Sequence, residues 1–76
     1  MNKIRRTKLS KLQEQIDELR MALEDILEEE QEAFDNMPES IQYSEKGELM
    51  EEGISALEDA VSNLEEAVEN IDTAIE

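Results

Sequence analysis

The chain has no cysteine, histidine or tryptophan, and only one proline, two glycines, one phenylalanine and one tyrosine among its 76 residues. Without cysteine there is neither a disulfide framework nor a thiolate metal site, so the usual staples of a small secreted domain are missing and a cytoplasmic location is expected. The common nucleophile–base pairs go with histidine and cysteine, and no Gly-rich phosphate loop or Gly-x-Ser-x-Gly elbow takes their place. The expectation is a non-enzymatic chain that needs no cofactor. A di-iron carboxylate bundle wants Glu-x-x-His pairs, which cannot occur here. The runs Glu28-Glu29-Glu30-Glu32 and Glu51-Glu52 could attract calcium or magnesium, but the Asp-rich loop with a central glycine is absent. They read as solvated helix faces, and no metal site is expected. No apolar run approaches the roughly 18 residues of a membrane span, and none of signal-peptide length follows the basic start. Neither insertion nor export is expected.

Cations are scarce everywhere except at one end. Lys3, Arg5, Arg6, Lys8 and Lys11 form a positive head, and only Arg20 and Lys46 follow it, whereas all 22 acids lie beyond the head, for a net charge of −15. So few aromatics and so many charges would suit a disordered chain, but the apolar residues are periodic. Leu9, Leu12, Ile16, Leu19, Leu23 and Ile26 alternate in steps of three and four, the pattern of a coiled-coil seam. Glu30 and Ala33 occupy the next seam positions, so the stripe frays toward Asp35. Leu27 and Phe34 sit on one flank and widen the apolar face. A second set, Ile54, Leu57, Val61, Leu64, Val68, Ile71 and Ile75, repeats at the same steps. Ala60, Ala67 and Ala74 close three successive heptads, with Gly53 at the same phase one heptad earlier. Small residues on one flank let a neighbouring backbone come close, which in water points to helix packing.

Between the two segments Pro38 pushes Met37 out of helical conformation and ends any continuous rod. Ser44 is a good N-cap, with Glu45 and Glu48 in the first turn, where the helix dipole favours anions. The predicted fold is all-α: an antiparallel two-helix hairpin with heptad packing, formed by residues 1–76 as one domain. Its helices are expected at about 7–34 and 45–75, with the turn at about 35–44. Folding near Glu39 aligns Leu9 with Ile71 and lays the basic head against Glu65, Glu66, Glu69, Asp72 and Glu76. Ion pairs across that end would then favour the antiparallel register, although exposed pairs contribute only about 0–1 kcal/mol each. Core size at this length is marginal, and the apolar faces are wider than one partner helix covers. A homodimer forming a four-helix bundle is expected, packed through Leu27, Phe34, Gly53, Ala60, Ala67 and Ala74.

Two surfaces are candidates for binding a further protein. Phe34, Met37, Ile41 and Tyr43 gather around the single proline, either as a plug closing the open end of the bundle or as a docking knob. The acidic face, with Glu51, Glu52, Glu58, Asp59, Glu65 and Glu66, raises a second possibility, imitation of a nucleic acid. Duplex DNA carries about one charge per 1.7 Å of axis, and a dimer of such hairpins would approach that density. The same charge opposes direct binding to nucleic acid or anionic lipid. The segment Glu29-Glu30-Gln31-Glu32-Ala33-Phe34-Asp35-Asn36-Met37-Pro38-Glu39-Ser40-Ile41-Gln42-Tyr43-Ser44-Glu45-Lys46-Gly47-Glu48 resembles one found in uncharacterised small acidic helical-hairpin proteins of Firmicutes and their phages. The resemblance covers about a quarter of the chain. It implies a phage or mobile-element origin, a helical hairpin and a host-interaction role such as inhibition of a restriction or CRISPR nuclease, with no site residues to carry over.

Overall fold

Helix α1 spans Lys3–Asp35, a short helix α2 spans Glu39–Gln42, helix α3 spans Glu45–Ile75, and there is no strand. In this computed structural model, which describes residues 1–76, α1 and α3 lie antiparallel in a body 58 × 15 × 12 Å. The basic head is part of α1. Asn2 caps it by accepting a 2.9 Å hydrogen bond from the Arg5 N–H, so the helix starts earlier than the apolar repeat alone indicates.

Proline ends α1 as expected, but the turn behind it is built rather than loose. The Pro38 carbonyl accepts from the Ile41 and Gln42 N–H groups at 2.9 and 3.0 Å, which starts α2. Gln42 then donates from its side chain to the Phe34 carbonyl at 2.9 Å, which also accepts from the Met37 N–H at 3.1 Å, so this carbonyl at the end of α1 is held twice. Ser44 caps α3. Its hydroxyl donates to the Ile41 carbonyl and accepts from the Gly47 N–H.

Gly47 is what brings α3 down onto α2. It is buried, and a Cβ there would overlap the Gln42 carbonyl and stand 2.6 Å from the Ile41 carbonyl oxygen. Its φ is not positive, so the requirement is for space and not for an unusual backbone. Gly53 is the opposite case, with nothing within 4 Å of the position a Cβ would take.

Only two apolar side chains are buried, Ile54 and Val61, at 5% and 7% exposure. Both belong to the expected seam of α3. Its remaining members from Leu57 to Ile75 are half-buried. On α1 the covered line differs from the expected one. Leu9, Gln13, Ile16, Arg20, Leu23, Leu27, Glu30 and Phe34 are half-buried, stepping by four and three, whereas Leu12, Leu19 and Ile26 are 50%, 61% and 51% exposed. The contact line is thus rotated by about 50° from the predicted seam. Polar side chains with long apolar stems make this possible. Gln13 reaches across to the Val68 carbonyl at 2.9 Å and to Asp72 Oδ1 at 2.6 Å, matching the expected alignment of Leu9 with Ile71 to within a helical turn.

Replacing Gly47 by alanine should cost about 1–3 kcal/mol, because it forces the α2 backbone away from α3. Gly53→Ala should cost nothing and can gain about 0.5–1 kcal/mol of helix propensity. Urea denaturation followed by circular dichroism reads both; equal effects would contradict the close approach at Gly47.

Candidate functional site

Seen from one end, two antiparallel right-handed helices wind in opposite senses. Flanks reached by the same step away from the contact line therefore fall on the same side of the hairpin. Leu12, Leu19 and Ile26 occupy that flank on α1, and Leu57, Leu64 and Ile71 occupy it on α3. The result is one continuous apolar face. Toward the turn it dips into a concavity where Glu30 of α1 borders Leu49, Met50, Gly53, Ala56 and Leu57 of α3. Leu49 is 62% exposed there. Ala60 and Ala67 lie half-buried along the same flank, and Ala74 and Gly53 are exposed on it.

Leu27 and Phe34, expected to face a second hairpin, instead lie half-buried on the line that α3 covers. The reason is the rotation of α1, which turns Leu27 inward and Ile26 outward. Leu27 borders a cleft with Glu28, Gln31, Glu32, Asp35 and Glu58, on the side away from the apolar face. That side is acidic. Glu51, Glu52, Glu58, Asp59, Glu65 and Glu66 are all exposed, and each is phased away from the flank carrying Leu57 and Leu64. No three acidic side chains converge closely enough to hold a metal ion.

The expected ion pairs between the head and the acids of α3 do not form. Both salt bridges belong to Arg20 and stay within α1, to Asp17 at 2.9 Å and Glu24 at 2.8 Å. The Asp17 hydrogen bond, opposed by desolvation and helped by the charges of Asp17 and Glu24, raises the guanidinium above its ordinary value. Lys3, Arg5, Arg6, Lys8 and Lys11 are exposed and form no salt bridge, and Gln13 supplies the cross-helix polar tie instead.

Around the turn, Phe34 and Met37 are half-buried, Ile41 is 38% exposed and Tyr43 81% exposed. Phe34 and Met37 suit the plug; Tyr43 projects into solvent. No helix is long and apolar enough to cross a membrane. No protein-family model, curated protein or solved structure matches the chain.

Several determinants escape the heptad reading. Leu49 and Ala56 stand one heptad apart beside the Gly53–Ala60 line, a spacing that marks them as a widening of the apolar face. Gln13, Arg20, Leu27 and Phe34 also repeat every seven residues, but two are polar and an apolar count passes over them. Gln42 gives no signal in sequence, since its role depends on where α1 stops.

Gln13→Ala should lower stability by about 0.5–1.5 kcal/mol. Changing Lys3, Arg5 and Arg6 together to Gln should leave it unchanged within error, because these side chains have no ion-pair partner in the hairpin. Urea midpoints compare the two. A larger loss from the head variant would show that its charges brace α3.

Proposed function

We propose that this protein is a non-enzymatic interaction module that associates with a second copy of itself and, as a small phage or mobile-element protein, binds a host or phage protein. The observation that carries this reading is the mismatch between two buried apolar side chains and a continuous apolar face open to water along the hairpin. A hairpin buries too little to stand alone comfortably, and exposed apolar surface of this extent marks an interaction site. Covering it with another hairpin turns two half-structures into a four-helix bundle. After that the acidic sides and the turn, with Tyr43 outermost, remain available to another protein.

Segregation of charge favours a second reading, in which the acidic face imitates nucleic acid and blocks a DNA- or RNA-binding enzyme such as a restriction or CRISPR nuclease. A net charge of −15 along 58 Å is roughly one charge per 4 Å, against about one per 1.7 Å for duplex DNA. A fully overlapped dimer comes to roughly one per 2 Å. Mimicry thus presupposes the same association, and the two readings part over what the carboxylates do.

Leu64→Asp should shift the protein to monomer in sedimentation equilibrium and lower its stability, because it places a charge on the apolar face beside the core. Raising salt should tighten self-association of the parent protein by screening like charge between copies. On the interaction-module reading, Glu58→Gln with Glu65→Gln and Glu66→Gln leaves partner affinity unchanged. On the mimic reading the triple variant loses partner affinity, and salt weakens the complex. A parent protein that stays monomeric at high concentration at every salt would end the assembly reading.

A further inference from the structure

Resting on the self-association just proposed, we infer that the apolar face takes a second copy of this chain in one orientation only. The cationic end of one hairpin lies over the turn end of the other, with α1 crossing α1 at Leu19 and Lys8 of each copy pairing with Glu30 of the other.

The spacing along α1 carries the argument. Leu12 and Ile26 stand equally far from Leu19 in sequence, and so do Lys8 and Glu30. A two-fold axis through Leu19, lying in the face and perpendicular to the helix, therefore sets Leu19 on Leu19, Leu12 on Ile26 and Lys8 on Glu30. Such a contact is isologous and closes at two copies. It covers the side chains that the hairpin leaves exposed, Leu12, Leu19 and Ile26.

Charge decides between this arrangement and the one with both hairpins pointing the same way. Phased onto the apolar face are Arg5 and Lys8 at the head and Glu30 near the turn on α1, and on α3 no carboxylate between Glu45 and Glu76. Glu30 is half-buried and forms neither of the two salt bridges, which belong to Arg20. Parallel stacking would lay Arg5 and Lys8 over apolar Ile71 and Ile75. It would also crowd the two turn ends, which hold 12 of the 22 acids and one lysine between Glu24 and Glu52. The head-to-turn arrangement pairs what the single hairpin leaves unpaired and separates the acidic ends. Lengthwise overlap supplies the area, since a face 58 Å long and 15 Å wide matches the roughly 800 Å² per partner of a specific interface.

The chain has no cysteine, so disulfide trapping reports the orientation directly. Leu19→Cys should form a disulfide-linked dimer on mild oxidation, and Leu12→Cys should cross-link efficiently only when mixed with Ile26→Cys. Lys8→Glu and Glu30→Lys should each weaken dimerisation about tenfold, and the double exchange should recover most of it. A dimer in which Leu19→Cys stays reduced but links to Ala60→Cys would overturn this orientation while leaving self-association standing. A monomer in sedimentation equilibrium would overturn both. A double exchange no tighter than its single variants would remove the Lys8–Glu30 pair.

Discussion

Two straight helices touch along a line, and a line can cover about one narrow stripe on each. This chain carries more apolar surface than that. On α3 the contact line buries Ile54 and Val61, on α1 it half-buries Leu9, Ile16, Leu23, Leu27 and Phe34, and the remaining apolar residues lie further out. The rest of the architecture follows from how the excess is placed. It could have been spread around both helices; instead it collects on one side, because the outward flanks of α1 and α3 coincide in an antiparallel pair. The acids take what is left, and the two faces differ in chemistry along the whole length.

Much of this was legible in the residues. Heptad steps marked both long helices, Pro38 and Ser44 marked the end of one and the start of the other, and the length match called for an antiparallel hairpin. Rotation of α1 was not legible. An apolar count assigns Leu12, Leu19 and Ile26 to the seam, because it scores Gln13 and Arg20 as surface. Both have aliphatic stems that lie along the contact while their polar ends find Val68, Asp72, Asp17 and Glu24. The same blindness applies at the turn. Gly53 continues the line of small residues yet has open space around it, whereas Gly47, one heptad before Ile54 at a seam position that an apolar count passes over, is the glycine that the backbone requires.

The basic head gives a parallel lesson about charge. Opposite charge at one end of a hairpin suggests pairing across it, but exposed side chains on neighbouring helices meet only where their phases converge. Lys3 through Lys11 wrap around the first turns of α1, while the acids of α3 point to one side. Long-range attraction survives, weakened by solvent and salt, without any contact that fixes geometry. Specific geometry falls to Gln13, a neutral residue, whose hydrogen bonds to Val68 and Asp72 tie the two helices where the cations do not.

The contacts that shape the turn all lie within one short stretch, from the Phe34 carbonyl held by Gln42 to Gly47 seated on α2. Little chain entropy is lost in closing so small a loop, and contacts of such short range form early. Helix pairing can then spread from the turn like a zipper, reaching Ile54 and Val61 before it reaches Gln13. This topology leads to the expectation that order is graded along the long axis, with the closed end as the anchored part of the molecule and the end bearing the positive charges the first to open and the last to close.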